Sequence, residues 1–402
     1  MAKTKKIKHL WDSSKTKQEA IDFAAGWDIK QKPLYENLLI PYQIKLDRVF
    51  SNELFRQGHI NKNQADVIRD GLTNLEFKTE KLSVEGYEDV HSFVESKLAE
   101  QHGELVGNLH LGLSRNDQIC TIMRMFMNDK IDKIDLSLVV LTVRLGSEIK
   151  GRGARIIPGY THHRVAMPST YGLLLESYME KIDRVRDDLS NWNSKYNKCP
   201  LGSAAGFGSP LKIDRTRVAK ELGFYETTKN SLDAVSSRWE AEAGLAFALS
   251  LCMNHFSNIS QDLIFMSSAG INVIELPSDY CTGSSIMPQK RNPDVLEVIK
   301  AKASVMQGIT SSIMSIGKGN ISGYNRDTQW TKYLIIDAIN EFEGVPEILS
   351  EIIKGIKINE KRSKQLLRKE NAYSAEKAIK KAIMEKTAFR STKLRIERKL
   401  KR

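Results

Sequence analysis

The chain has 402 residues, 41% of them hydrophobic and 27% charged, with a formal net charge of +12. This is a globular composition with enough apolar material for a large core; ten prolines and 25 glycines exclude a collagen-like or low-complexity chain, and no apolar run approaches the ~20 residues that span a bilayer. The excess charge sits at the ends, four lysines and no acid in residues 1–10 and six basic residues against Glu397 in 391–402, so the nearly balanced body argues for basic tails rather than a nucleic-acid site.

The N-terminus, Met1 to Lys6, is basic but lacks a following apolar stretch, which excludes a secretory signal. Residues 107–117, GNLHLGLSRND, read as a loop and a domain boundary near 112. Ile131, Ile134, Leu138, Leu141 and Leu145 step by three or four, the spacing of one helix face. A second loop is expected at 157–163, IPGYTHH, with a tight turn at Pro158-Gly159-Tyr160. Leu175, Tyr178, Ile182, Val185, Leu189 and Trp192 form a second helical stripe, the glycine-rich segment 200–210 a loop, and Leu245, Leu249, Cys252, Phe256, Ile259 and Leu263 a third stripe. Strand signals are sparse; Ile271 to Leu276, before Pro277, is the one short candidate. Residues 281–294, CTGSSIMPQKRNPD, begin with small residues that permit mobility and end in Asn292-Pro293, a helix entry. Beyond 355–360 the chain turns lysine-rich and loses its long seams.

The fold class is therefore mainly all-α. Three domains are expected: an N-terminal helical domain over 1–112, a central long-helix bundle over 113–355, and a short C-terminal helical domain with a basic tail over 356–402. Cys120, Cys199, Cys252 and Cys281 are far apart and form no CxxC pair, which fits a reducing cytoplasm better than a disulfide framework or a zinc site.

Several standard chemistries lack their motifs. There is no GxxxxGK[ST], no HExxH and no GxSxG, and the eight histidines show no zinc spacing. What remains is a polar constellation on loops. Ser114-Arg115-Asn116 offers a hydroxyl, a planar guanidinium and an amide, which suit a carboxylate, although such a segment also serves as a helix cap. Thr161-His162 offers a titratable ring, although a lone histidine is often structural. Gly283-Ser284-Ser285 is a flexible, donor-rich turn, and Lys290, Arg291 and Asn292 add charge and an amide. A serine without a histidine beside it needs nearby cations or N–H groups to stabilise its alkoxide. Glu297, on the helix after Pro293, can orient a histidine and raise its pKa, or simply face solvent. Together these groups point to a small polyanionic substrate with an acid, a base and a cation near developing charge.

The segment GSSIMPQKRNPD resembles the signature loop of the aspartase/fumarase superfamily, and GNLHLGLSRNDQ at 107–118 and IPGYTHHRVAMP at 157–168 agree with it. Within that superfamily the sequence is most similar to the argininosuccinate lyases. The segments that carry the likeness are Glu88 to His91, Ser114 to Gln118, Pro158 to His162, Asn230 to Ser236, Gly283 to Asp294, and Tyr324 to Gln329 with Lys332. The resemblance spans roughly residues 20–390 and implies three mainly helical domains whose central helices assemble into a twenty-helix core across a homotetramer, with each active site built from three subunits.

It also implies a reaction, reversible anti elimination of argininosuccinate to arginine and fumarate, with no metal or organic cofactor. Ser284 and His162 would be the base and the acid, in an order that stays open. Glu297 would pair with His162, and Lys290 and Asn292 would hold the carboxylate that gains charge. Ser114, Arg115, Asn116 and Thr161 would bind the succinate part, Tyr324, Gln329 and Lys332 the arginine part, and Arg238 matches a further binding position. The partners implied are this small-molecule substrate and copies of the same chain, with no membrane and no nucleic acid.

The sequence departs from the family pattern in places. Leu111 and Leu113 replace a threonine and an arginine, and Trp239 replaces an aspartate. The N-terminal grip on the arginine moiety has no clean match, with Gly26, Asp28 and Glu36 in its region. Residues 387–390 resemble a segment beyond which family members run several helices further, so a curtailed or remodelled third domain is expected. These departures keep two other readings in view: a lyase releasing fumarate from another N-substituted aspartate, and a non-catalytic structural relative.

Overall fold

The computed structural model describes residues 31–400. Gly26 and Asp28, the basic residues of 1–10, and Lys401 and Arg402 lie outside the described residues. Long helices dominate: Arg115–Arg152, Tyr171–Tyr196, Arg238–Ser267 and Asp294–Gly317. Every residue of the three predicted stripes is buried. Burying a leucine- or isoleucine-sized side chain contributes about 1.5–3 kcal/mol, so these seams supply much of the stability. No helix among the described residues is long and apolar enough to cross a membrane. All four cysteines are free thiols.

The chain divides into two compact units. One comprises residues through Lys133, Asp188–Leu249 and Met306–Glu341. Its helices Ile40–Arg56, Lys62–Glu76 and Val90–His102 pack on one another around Leu46, Phe50, Leu72, Phe93 and Leu98. Polar caps start these helices where the sequence provides them. Asn61 and Gln64 form a reciprocal capping box, and Asp89 accepts the Ser92 N–H to open the helix carrying His91. Near the end of the Asp294–Gly317 helix, Gly317 lies so close to Trp239 that a Cβ there would stand 2.2 Å from the ring; any side chain would push the indole away.

The other unit comprises Ile134–Asp187, Ser250–Val305 and Phe342–Arg402. The expected loop at 157–163 is instead a strand. Ile156–Thr161 pairs antiparallel with Arg164–Thr170, and the register shifts between Gly159 and Tyr160. The tight turn is not Pro158-Gly159-Tyr160 but His162-His163, both left-handed with φ of 52° and 58°. Pro158 and Gly159 break the alternation by which a strand is recognised, and a two-residue hairpin turn with both φ positive is normally signalled by Asn-Gly. The helix Glu360–Lys369 packs against the first strand. The candidate strand at 271–276 is realised as Ile274–Glu275, paired with Lys357–Ile358. The segment 281–294 closes as a second hairpin, Thr282–Gly283 with Arg291–Asn292, and its helix begins at Asp294, as the Asn-Pro entry predicts.

Candidate active site

In the first unit, a cavity of about 390 Å³ is lined by Arg115, Asn116, Arg238, Tyr324, Gln329 and Lys332. All six are residues singled out in the sequence, from three distant segments. Glu88, Asp89, His91 and Arg326 add to its polar wall. Ser114 stands next to it at the start of the Arg115–Arg152 helix, where its backbone N–H donates to Asp117 Oδ1 at 2.9 Å.

The cations are held by buried carboxylates. Lys332 is 1% exposed and pairs with Glu36, itself fully buried. Burial pushes the Lys332 amine down, but Glu36 outweighs it and holds the pKa above the ordinary lysine value. Arg238 is 4% exposed and lies 3.8 Å from Glu242, whose other oxygen accepts the Thr331 hydroxyl. Burial holds the Glu242 carboxyl above the usual range despite Arg238. Arg115 is gripped by Glu88, by Asp89 at 3.4 Å and by the Ser92 hydroxyl at 3.1 Å. Burial opposes the charge on Asp89, yet His91, Arg115 and the Ser92 hydrogen bonds together win and hold it well below the usual carboxylate range.

Several polar atoms of this lining have no hydrogen-bond partner among the described residues: Arg238 Nε and Nη2, Gln329 Oε1 and His91 Nε2. Buried polar groups are nearly always paired, so donors and acceptors left over in a cavity mark a ligand's place. His91 Nδ1 lies 2.6 Å from Gln43 Oε1, and Gln43 Nε2 donates to Asp47, so the His91 proton sits on Nδ1 and Nε2 is left as an acceptor. Burial pushes His91 down to about 3 and keeps it neutral. In the sequence, Glu88 to His91 form a motif with no assigned role, and Glu242 carries no signal beyond its i, i+4 spacing from Arg238.

The second unit carries the remaining candidates. Thr161 ends the first strand of the His162 hairpin, and His162 itself occupies the turn, exposed. Its neighbour His163 packs edge-on to Phe265 with ring centroids 5.7 Å apart, and Tyr160 does the same at 5.0 Å. The turn is thus anchored through its neighbours while His162 keeps a free ring in a backbone conformation that costs energy, as functional residues often do. Ser284 and Lys290 follow and precede the last pair of the other hairpin, Gly283 and Arg291, and so begin and end its seven-residue loop. Ser284 Oγ accepts the N–H of Met287 at 3.1 Å and of Ile286 at 3.4 Å. Donors aimed at this oxygen favour its charged form. Asn292 Nδ2 donates to the Gly283 carbonyl at 3.4 Å. Glu297 is exposed on the following helix, and neither its carboxylate nor the His162 ring has a hydrogen-bond or ion-pair partner among the described residues; the two do not pair within the chain.

A family model described as lyase matches residues 32–308. The chain is 37% identical over 318 residues to an argininosuccinate lyase of Halorhodospira halophila, covering 78% of this chain and 68% of that protein. To the argininosuccinate lyase of Caldanaerobacter subterraneus subsp. tengcongensis it is 35% identical over 331 residues, covering 82% and 75%. The chain belongs to the argininosuccinate lyase family. Members are carbon–nitrogen lyases. Its fold is similar to that of an EDDS lyase crystallised with formate, with TM-score 0.80 at 22% identity over 92% of this chain and 73% of that one. It is likewise similar to a class II fumarase from Schistosoma mansoni, with TM-score 0.78 at 16% identity over 94% and 91%. The matched family region contains the Ser114, His162 and Ser284 segments, while Tyr324, Gln329 and Lys332 lie beyond its end.

Proposed function

We propose that the chain catalyses the reversible cleavage of argininosuccinate to arginine and fumarate. The observation that carries this is the convergence of Arg115, Asn116, Arg238, Tyr324, Gln329 and Lys332 on one cavity with unpartnered donors and acceptors. A substrate with carboxylates at one end and a substituted guanidinium and amino acid at the other needs such a mixture.

In this reading Ser114, Arg115, Asn116 and Thr161 hold the succinate part, and Tyr324, Gln329, Lys332 and Arg238 the arginine part. Ser284 and His162 exchange the protons. Removing a proton beside a carboxylate builds negative charge on that carboxylate, and Lys290 and Asn292 stabilise it there. The partner acid protonates the departing nitrogen. The chemistry is proton transfer and fixed charge, so the reading assigns no cofactor.

A complete site then draws on more than one copy of the chain, and the His162–Glu297 pair forms between copies. The surface supports this. Leu136, Val140 and Val143, spaced along one face of the Arg115–Arg152 helix, are exposed apolar residues, as are Val298 and Val305 on the Asp294–Gly317 helix. Apolar stripes of this kind on long helices are subunit surfaces. The reading is a homotetramer in the cytoplasm with the three-part division 1–112, 113–355 and 356–402.

The test is fumarate release from argininosuccinate, followed by ultraviolet absorbance, with Ser284→Ala as control. Release lost in the control supports the reading. A folded protein that releases fumarate only from another N-substituted aspartate moves the assignment to that substrate, and one inert toward every such substrate is a structural relative.

A further inference from the structure

The first unit holds a second cavity, of about 640 Å³, that shares no lining residue with the substrate cavity. Three helices supply most of its polar wall. Tyr42, Lys45 and Arg48 recur every three residues along Ile40–Arg56 and so occupy one face. Asn128, Asp129 and Asp132 come from Arg115–Arg152, and Asn193 and Asn197 stand four residues apart at the end of Tyr171–Tyr196.

The hydrogen-bond account of this wall does not balance. The side-chain oxygens of Asn128, Asn193 and Asn197 are all buried without a partner among the described residues, and Asn197 is only 5% exposed. Three orphaned amide groups on one cavity are not expected by chance, because buried polar atoms are overwhelmingly paired. The charges do not balance either. Arg48 is held by Glu76 at 2.6 Å, and Asp129 accepts the Tyr42 hydroxyl at 3.0 Å. Asp132 has no hydrogen bond or ion pair from its carboxylate among the described residues. Lys45 Nζ donates to the Leu222 carbonyl at 3.0 Å, which leaves N–H groups of its ammonium unused.

The wall therefore offers buried acceptors that lack donors, a solvent-exposed carboxylate with no ion pair, and an ammonium with donors to spare. A molecule with a carboxylate and a cationic, multi-donor side chain meets all three needs. A guanidinium presents five N–H groups in a plane where an ammonium presents three, and so suits several amide oxygens beside a carboxylate better. We propose that this cavity is a binding site for a guanidinium-bearing α-amino acid, separate from the substrate cavity. That arginine itself would fill it in the cell, as a product reporting its own accumulation, rests on the reaction proposed above; the binding does not.

Equilibrium dialysis with labelled L-arginine and no fumarate, so that nothing turns over, tests this by stoichiometry. Two arginines bound per chain are expected, against one for the substrate cavity alone. Asp132→Lys, at an exposed position, should weaken binding at this second site about tenfold or more, corresponding to one lost charge contact, and Asn193→Leu should weaken it too. Both substitutions, made in the active chain, should leave fumarate release without added arginine unchanged. L-lysine and agmatine, which lack the guanidinium and the carboxylate respectively, should bind more weakly. A single arginine per chain, unchanged affinity in Asp132→Lys, or equal binding of agmatine would each overturn the site. The dialysis needs no turnover, so a protein that binds arginine here and releases no fumarate would sink the lyase reading and leave this one standing.

Discussion

Glu36 and Lys332 lie 296 residues apart in the chain and meet as an ion pair in which both side chains are buried. The second Glu36 oxygen accepts the Val90 N–H at 3.1 Å, so one carboxylate ties Lys332 to the helix that carries His91. Leaving one member of a buried pair unmatched typically costs about 3–5 kcal/mol. Glu36→Gln should therefore lose roughly that much in urea unfolding and weaken binding of the arginine part, seen as a raised KM. Paired with Lys332→Met, the added loss of stability should be small, because the uncompensated charge is gone. Strictly additive losses in that double variant would show that the two side chains do not act as a unit.

Arg115 is already spoken for on one side by Glu88, Asp89 and Ser92. Those contacts set the plane of the guanidinium, so what it offers a substrate is oriented in advance. A lysine carries the charge but cannot make these contacts and a forked contact with a carboxylate together. Hydrogen bonds to charged groups contribute about 1.5–3 kcal/mol. Arg115→Lys should then raise KM by about ten- to a hundredfold, and steady-state kinetics would show it. An unchanged KM would mean that Arg115 serves only the Glu88–Asp89 wall.

The helical core was legible because its signal is local: Ile131 to Leu145 or Leu245 to Leu263 can be read within one window, and each such residue is buried. The cavity-facing residues were legible through short segments around Arg115, Arg238 and Lys332. Their counter-ions were not. Glu36 and Glu88 meet their cations 296 and 27 residues away, and Glu242, four residues from Arg238, reads in the sequence like any i, i+4 pair on a helix surface. The His162 hairpin escaped because Pro158 and Gly159 disturb its alternation and because His-His occupies a turn whose usual marker is Asn-Gly.

His110 is a half-buried cation at neutral pH. Burial lowers its pKa, but Asp47 at 2.9 Å and Glu95 at 3.7 Å outweigh that and lift it to about 10. A folded pKa above the unfolded value near 6.5 means that the stabilisation is fully present below pH ~6.5 and disappears as pH rises through about 10. Lys32 works in the opposite direction. Burial depresses it to about 8, so the cost of keeping it charged is relieved as pH rises above that value. The useful quantity is therefore a difference. The stability gap between the wild type and His110→Gln should be a few kcal/mol near pH 6 and should narrow steadily toward pH 10. A gap independent of pH, measured by thermal unfolding, would refute a charged His110.

Asp117 joins the start of the Arg115–Arg152 helix to the glycine-rich loop. Its Oδ1 accepts the Ser114 N–H at 2.9 Å, and its Oδ2 accepts those of Gly202 at 2.9 Å and Ala204 at 2.8 Å. Burial is the larger effect on this carboxyl and pushes it up to about 6 despite the N–H groups that favour its charge. An asparagine would relieve the desolvation yet keep only one acceptor. If its oxygen stays with Gly202 and Ala204, its NH₂ is forced against the Ser114 N–H. The two effects partly cancel in stability, leaving a loss of about 1–3 kcal/mol. They do not cancel in position, because the repulsion falls on Ser114, next to Arg115 and Asn116 at the cavity. Asp117→Asn should accordingly raise KM by about tenfold, which is 1.4 kcal/mol of lost substrate binding, with little change in kcat, since no reacting atom is touched. A fall in kcat at constant KM would place Asp117 closer to the chemistry than this geometry allows.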